Sequence, residues 1–163
     1  MAVLVTGGAG YIGSHTCVEL LNEGYEVVVI DNLSNANEIA LERVQEITGK
    51  NLTFYKKDLL DSEALDEIFT KENIDSVIHF AALKAVGESV EKPLEYYYNN
   101  ITGTLILCDV MRKHKVKNLV FSSSATVYGN PKTVPIKEDF PLSATNPYGY
   151  SKLVTEQILK DLH

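Results

Sequence analysis

The chain has 163 residues, of which 45% are hydrophobic and 23% charged, and its formal net charge is −7. This length allows one domain with a substantial hydrophobic core. The acidic balance disfavours nucleic-acid binding, which needs a basic surface, and no apolar run reaches the roughly 20 residues that span a bilayer. An anionic ligand would have to be held by local backbone dipoles, because the overall field repels it.

The amino terminus and the two cysteines predict where the protein resides. Residues 1–6 run directly into a strand pattern, without a basic region or cleavage site, so we expect no signal peptide. Cys17 and Cys108 each fall within a helical pattern and lack the spacing of metal ligands. We therefore expect reduced core thiols, no metal and a cytoplasmic protein.

Short β-branched runs alternate with helical patterns along the whole chain. Apolar residues dominate the centres of most runs, as expected for strands that are covered on both faces. Pro93 and Pro147 occupy first-turn positions of two predicted helices, 93–114 and 146–163, and Asn146 is a suitable cap for the second. The alternation predicts an α/β fold, a doubly wound parallel sheet of the Rossmann type. The predicted strands are Ala2–Thr6, Glu26–Ile30, 52–55, 76–80 and 118–122.

The sequence VLVTGGAGYIG at residues 3–13 predicts a phosphate-binding turn between the first strand and the first helix. Gly7 would permit the tight turn, Gly10 would let a pyrophosphate approach the backbone, and Gly13 would let the helix pack on the strand. The N–H groups of the first helical turn would then bind the phosphates. Taken alone, the glycines also suit an ordinary strand–turn–helix junction.

An acidic residue strengthens the dinucleotide interpretation. Asp31 follows the second strand, where its carboxylate can accept hydrogen bonds from the adenosine ribose. A 2′-phosphate there would meet like charge, so NAD is preferred over NADP. The alternative is that Asp31 is a solvated turn residue.

A second motif lies on the last predicted helix. Tyr148 and Lys152 are separated by one helical turn and share a face, whereas Tyr150 points elsewhere. A tyrosine phenol, with an ordinary pKa of about 10, is a poor base, and a nearby ammonium stabilises the phenolate. A surface pair is the alternative for this motif by itself.

The segment FSSSATVYG, residues 121–129, follows the fifth strand, at the edge where such sheets bind ligands. A serine there can hydrogen-bond a substrate oxygen. With the glycine turn and Tyr-x-x-x-Lys, the segment resembles the extended short-chain dehydrogenase/reductases, whose Ser–Tyr–Lys triad assigns this role to Ser124. Ser122 and Ser123 are expected to satisfy backbone groups.

TGGAGYIGSHT, SSSATVYG and HFAALKAVGESVEKPLEYYYNN resemble the UDP-glucose 4-epimerases within that family, in order along the whole chain. The resemblance implies a cofactor site for NAD. Lys84 could instead be a solvated loop lysine, and His79 is better interpreted as a satisfied residue at a strand end. Besides the three glycines, the implied NAD contacts are Tyr11, Ile12, Asp31, Asn32, Leu33, Ser34, Asn35, Asp58, Leu59, Phe80, Ala81, Ala82, Lys84, Asn99, Ser124, Tyr148 and Lys152.

The resemblance also implies the reaction, interconversion of UDP-galactose and UDP-glucose through a transient 4-keto sugar. Tyr148 would take the proton of the 4-hydroxyl, Lys152 would tune Tyr148, and Ser124 would orient the hydroxyl; Lys84, Ser124 and Tyr148 would contact substrate. A dehydratase of the same family would need an Asp-Glu pair where this chain has Ala125 and Thr126. A non-catalytic NAD-binding module remains a second alternative.

Residues 1–163 are therefore expected to form one NAD-binding domain that carries the triad, without the sixth strand and substrate domain of the family. Apolar residues on more than one side of helices 93–114 and 147–162 predict a homodimer. The alternative is that these residues face the missing half of the same chain.

Overall fold

The computed structural model describes residues 1–163 and contains five strands and seven α-helices. The chain divides into two compact units. The first unit comprises Met1–Ala81 and Ile106–Ser122, and the second comprises Ala82–Leu105 and Ser123–His163.

A parallel sheet of five strands forms the centre of the first unit, in the order β3-β2-β1-β4-β5. This is the strand order of a dinucleotide-binding sheet. The first two strands have the predicted bounds, whereas β3 and β5 are each one residue shorter than predicted and β4 begins two residues earlier. The strands are β1 (Ala2–Thr6), β2 (Glu26–Ile30), β3 (Thr53–Tyr55), β4 (Ile74–His79) and β5 (Asn118–Phe121).

Successive residues of β1 and β2 belong to two different core clusters, because side chains along a strand alternate between the faces of a sheet. One cluster contains Val3 and Val5 with apolar residues of α1 (Tyr11–Asn22) and α2 (Ile39–Thr48). The other contains Leu4 with residues of α3 (Ser62–Lys71) and α6 (Gly103–Lys113). Helices thus cover both faces of the sheet, and the doubly wound prediction is confirmed.

The second unit is mainly helical. It contains α4 (Val86–Glu91), α5 (Pro93–Tyr97), the first residues of α6, a 3-10 helix (Ala125–Tyr128) and α7 (Pro147–Leu162). Helix α7 packs against α4, α5 and the 3-10 helix. The predicted cap is confirmed, because Asn146 Oδ1 accepts a hydrogen bond of 2.8 Å from the Gly149 N–H.

The predicted helix 93–114 needs one correction. A π-helical turn, Tyr98–Thr102, separates α5 from α6, so the segment is not a regular α-helix. Such turns insert extra backbone into a helix and occur often at functional sites. Asn99 and Asn100 both lie in this turn.

Cys17 and Cys108 are both free, and burial raises the pKa of the Cys17 thiol to about 12. Cys17 belongs to the core cluster with α1 and α2. None of the helices combines the length and the apolar character that crossing a membrane requires.

Candidate functional site

The glycine loop of the first unit has no room for a side chain at Gly7 or Gly13. Gly7 has a left-handed backbone (φ 70°), as expected for the tight turn. A Cβ atom on Gly13 would lie 2.3 Å from the carbonyl oxygen of Gly7, so the helix packs directly on the turn. Gly10 caps α1 without a side-chain hydrogen bond, and the first-turn N–H groups of Tyr11, Ile12 and Gly13 have no carbonyl within the helix to bond. The loop therefore presents a row of donors of the kind that binds phosphate.

Asp31 holds the glycine loop through hydrogen bonds to backbone N–H groups. Its Oδ2 accepts the N–H of Ala9 at 3.1 Å, and its Oδ1 accepts the N–H of Leu33 at 2.9 Å. The side chain is buried, which argues against a solvated turn residue. Each carboxylate oxygen has two lone pairs, so one on each remains for a ligand hydroxyl.

The adjacent residues form a second polar cluster. Asn32 Nδ2 donates to Asp58 Oδ2 at 2.7 Å, while Asn32 Oδ1 accepts the N–H of Ser34 at 2.9 Å. The other oxygen of Asp58 accepts the N–H of Leu60 at 2.9 Å. Two predicted adenosine contacts, Asn32 and Asp58, are thus brought together although they lie 26 residues apart. Of the remaining predicted contacts here, Asn35 is exposed and Leu59 packs against the core.

The end of β4 contacts the glycine loop. A Cβ atom on Gly7 would lie 2.7 Å from the backbone nitrogen of Ala81, and the N–H of Ala81 donates to Thr6 Oγ1 at 3.3 Å. Thr6 Oγ1 is also 2.6 Å from His79 Nδ1, and both side chains are buried. His79 is therefore a hydrogen-bonded core residue at the strand end, as predicted, and Phe80 and Ala81 follow it beside the loop.

In the second unit, the first turn of α7 lies against the 3-10 helix that follows Ser124. A Cβ atom on Gly149 would be 3.0 Å from the carbonyl oxygen of Thr126, so the two helices approach each other closely at this glycine. Tyr148 and Lys152, on either side of Gly149, occupy successive turns of one face of α7. Tyr150 is 47% exposed, in agreement with its predicted outward direction.

The hydroxyl of Ser124 is oriented by a residue that the sequence did not single out. Ser124 Oγ accepts the N–H of Thr126 at 3.2 Å and is 2.9 Å from Thr126 Oγ1. With Thr126 as donor of both hydrogen bonds, the two lone pairs of the serine oxygen are occupied. The hydroxyl proton of Ser124 is then left to be donated to another group.

Lys152 is buried, with 5% of its surface exposed, and burial lowers the pKa of its ammonium to about 8. Desolvation causes this shift, because a charged group loses hydration in the interior. The side chain nevertheless remains mostly protonated at neutral pH. A buried, charged lysine at this place is not a surface lysine, so the surface-pair alternative does not hold.

Asn100 connects α7 with the loop that precedes α4. Its Oδ1 accepts the N–H of Leu83 at 2.8 Å, and its Nδ2 donates to the Leu83 carbonyl and to Ser151 Oγ, both at 3.0 Å. Ser151 Oγ in turn donates to the Tyr148 carbonyl at 2.7 Å. Asn99, the predicted anchor, reaches this network by donating from Nδ2 to Asn100 Oδ1 at 3.0 Å.

Tyr96 holds the same loop from its other side. Its hydroxyl accepts the N–H of Ala85 at 3.0 Å and donates to Glu88 at 2.9 Å. Burial raises the pKa of this phenol, as do the hydrogen bond to Glu88 and, to a smaller extent, the nearby phenol of Tyr148. Lys84 is exposed between the two fixed residues Leu83 and Ala85, and Ala82 precedes them.

One prediction for the serine segment is wrong. Ser123 is predicted to satisfy a backbone group, but its hydroxyl donates a hydrogen bond to the carboxylate of Glu156 on α7. The spacing of Tyr148, Lys152 and Glu156, each four residues apart, could have indicated that Glu156 shares their face of the helix.

Comparison with known proteins identifies the family. A family model described as GDP-mannose 4,6 dehydratase matches residues 4–163. The chain belongs to the extended short-chain dehydrogenase/reductase family. Two relatives named UDP-glucose 4-epimerase match nearly the whole chain. The one from Bacillus subtilis is 71% identical over 163 residues, and the one from Dictyostelium discoideum is 64% identical over 160 residues.

A solved structure of a protein with the same name also matches this chain. The crystal structure of UDP-glucose 4-epimerase from Bifidobacterium longum in complex with NAD+ and UDP matches with a TM-score of 0.98 and 58% identity, over 100% of this chain and 49% of that chain. The curated relatives show the same proportion, since this chain covers 48% of the B. subtilis protein and 46% of the D. discoideum protein. The 163-residue chain thus spans about half the length of the relatives it matches.

Proposed function

We propose that this chain carries the NAD-binding and proton-transfer residues of an enzyme that epimerises UDP-galactose and UDP-glucose at C4, in galactose metabolism. The observation that carries the proposal is the arrangement at the start of α7. Tyr148 and the buried Lys152 lie on one face, and Gly149 allows the helix to contact the segment of Ser124. The relatives named UDP-glucose 4-epimerase support it.

The glycine loop of the first unit fits NAD. Its first-turn N–H groups suit a pyrophosphate, and a bulky side chain on Gly7 or Gly13 would collide with the backbone. The carboxylate of Asp31 suits ribose hydroxyls and would repel a 2′-phosphate, which favours NAD over NADP, and Asp58 would lie beside the adenine. When bound, NAD supplies reversible storage of a hydride, which allows a 4-keto sugar to form and be reduced again.

The residues of the second unit have distinct roles in this proposal. Tyr148 accepts the proton of the sugar 4-hydroxyl and later returns it. The ammonium of Lys152 stabilises the phenolate of Tyr148 during that exchange, and its burial strengthens the interaction. Ser124, whose oxygen is occupied by Thr126, donates its proton in a hydrogen bond to the sugar oxygen.

A dehydratase is the nearest alternative, because the matching family model is described by such an enzyme. Elimination of water needs an additional acid and base next to the triad serine. Ala125 has no titratable group, and the hydroxyl of Thr126 is engaged with Ser124. The residues that follow Ser124 therefore favour epimerisation.

A binding module without turnover is the second candidate, because this chain spans about half the length of the relatives. In that case the proposed function of this chain is to bind NAD through the first unit, without conversion of a sugar substrate. Incubation of the purified chain with UDP-galactose and NAD, followed by chromatography for UDP-glucose, separates the two candidates.

We also propose a homodimer and a cytoplasmic location. Exposed apolar residues of α5, the π-helical turn and α7, including Leu94 (75% exposed), Tyr98 (58%) and Val154 (40%), would form the contact. Sedimentation as a monomer at micromolar concentration would contradict the dimer. The cytoplasm is the compartment in which free cysteines such as Cys17 and Cys108 persist.

The decisive test replaces Tyr148 by Phe in a chain of the relatives' length that carries these 163 residues. Loss of the phenol oxygen removes the proton acceptor, so kcat should fall by about a thousandfold or more. Tyr150→Phe is the matched control, because this exposed phenol lies two residues away on another side of α7. Normal conversion of UDP-galactose by the Tyr148→Phe variant would refute the proposed function.

A further inference from the structure

The serine segment after β5 is held by side chains of the second unit. Residues 122–124 lie in no helix or strand. Backbone hydrogen bonds border this segment, from the Ser122 N–H to the His79 carbonyl at 3.2 Å and from the Val127 N–H to the Ser124 carbonyl at 3.1 Å. Between them, the Ser123 hydroxyl donates to Glu156, and Ser124 Oγ accepts from Thr126, so two side-chain contacts add to the backbone bonds that position the Ser124 hydroxyl.

Glu156 is well placed to hold this segment in register with α7. It lies on the same helix face as Tyr148 and Lys152, one turn beyond the lysine. Its side chain is 21% exposed, and its second oxygen is 3.9 Å from the Nζ of the exposed Lys160, so that contact is weak. A hydroxyl that donates to a carboxylate forms a short and directional hydrogen bond, and this one joins residues 33 positions apart.

We propose that Glu156 is a positioning residue for Ser124. Its carboxylate fixes Ser123 against α7, and the peptide link between Ser123 and Ser124 transmits that constraint to the next hydroxyl. Ser124 is thereby kept at a constant distance from Tyr148, because Tyr148 and Glu156 both lie on helix α7. The role of this contact in turnover rests on the function proposed above.

The first measurement needs no turnover. In the 163-residue chain, the Thr126 amide donates to Ser124 Oγ, so its hydrogen exchange reports whether Ser124 is held. We expect this amide to exchange at least about tenfold faster in Glu156→Ala and in Ser123→Ala, with little change in Glu156→Gln, whose amide oxygen can still accept the serine proton. Unchanged exchange in both alanine variants would overturn the proposal.

The second measurement is kinetic, in a chain of the relatives' length that carries these residues. Misplacement of Ser124 should lower kcat by about tenfold, with KM changed by less than about twofold, because Glu156 acts on the reacting centre and not on substrate binding. Glu156→Gln should recover most of kcat. The Ser123→Ala/Glu156→Ala double variant should be no slower than either single variant, because the two single variants and the double variant all lose the same Ser123–Glu156 hydrogen bond.

Lys160→Ala is the control on the same helix, since it removes only the weak contact to the second oxygen and should leave kcat unchanged. Additive losses in the double variant, or a loss in Glu156→Gln as large as in Glu156→Ala, would show that Glu156 acts by another route. If the unsubstituted longer chain converts no UDP-galactose, the proposed function fails, and exchange at Thr126 still decides whether Glu156 holds the serine segment.

Discussion

The two units position their candidate functional groups by different means. In the first unit, the groups are backbone N–H donors and a carboxylate, and most of their contacts are to backbone atoms of the turns after β1 and β2. In the second unit, side chains hold other side chains across long sequence separations, as in Asn100–Ser151, 51 residues apart, and Ser123–Glu156, 33 residues apart. Short motifs mark most of the first arrangement, although the Asp31–Ala9 and Asn32–Asp58 contacts join residues 22 and 26 positions apart. The side-chain contacts of the second arrangement join segments that no short motif links.

The first and largest test of this difference is Asn100→Ala. The substitution leaves the Leu83 backbone and the Ser151 hydroxyl without their buried partner, so we expect a loss of about 4 kcal/mol in the free energy of unfolding. Denaturant titration of the 163-residue chain measures it. Asn130→Ala, at an exposed position, should change stability by less than about 0.5 kcal/mol. A loss below about 1 kcal/mol for Asn100→Ala would mean that the network contributes little.

The second test concerns the first unit. Gly13→Ala places a Cβ atom 2.3 Å from the Gly7 carbonyl oxygen, between two backbone segments that cannot both move without opening the turn. We expect a loss of about 3 kcal/mol in stability and a fall in NAD affinity, measured by titration calorimetry. Gly87→Ala is the matched control, because nothing lies within 4 Å of its added Cβ and alanine favours a helix. Undiminished NAD affinity in Gly13→Ala would separate this loop from phosphate binding.

Short-range patterns in the sequence predict most of the fold and part of the candidate site. The doubly wound parallel sheet, the glycine turn, the acid after β2 and the Tyr148–Lys152 pair follow from periodicity and from short spacings along the chain, and the fold prediction is confirmed. The bonds of Asp31 to Ala9 and Leu33 were not predicted, because a carboxylate after a strand serves ligand and backbone equally well.

The residues that the sequence did not reveal belong mostly to the second unit. Asn100 lies beside Asn99, and only the buried row formed by Tyr96, Asn100 and Thr104, spaced by four, marks it as the inward-facing member of the pair. The π-helical turn that contains both asparagines has no distinct periodic signal. Local sequence does not reveal which distant side chains contact each other, as Ser123 and Glu156 do, since water could equally well supply the hydrogen bonds of either side chain.

The third and smallest test uses the buried ammonium. Because burial lowers the pKa of Lys152 from 10.5 to about 8 in the folded chain, the unfolded chain binds more protons between these values. Stability attributable to Lys152 therefore rises as pH increases through this window, and the cost of burying the charge is fully present below it. Relative to Lys152→Met, the unsubstituted chain should gain about 2 kcal/mol in free energy of unfolding between about pH 7 and about pH 10.

Taking the difference against Lys152→Met, with Tyr148→Phe in both chains because the proposed function couples that phenol to Lys152, cancels the titration of Cys17 and of the other tyrosines. Lys160→Met supplies the control for removing an exposed lysine from the same helix, and its difference from the unsubstituted chain should stay nearly constant with pH. A constant difference for Lys152→Met as well would show that the ammonium keeps an ordinary affinity for its proton. Side-chain partners inside the second unit would then have to stabilise the ammonium, as Asn100 and Glu156 hold their own neighbours. In that case the pKa of the buried Lys152 would equal that of a surface lysine.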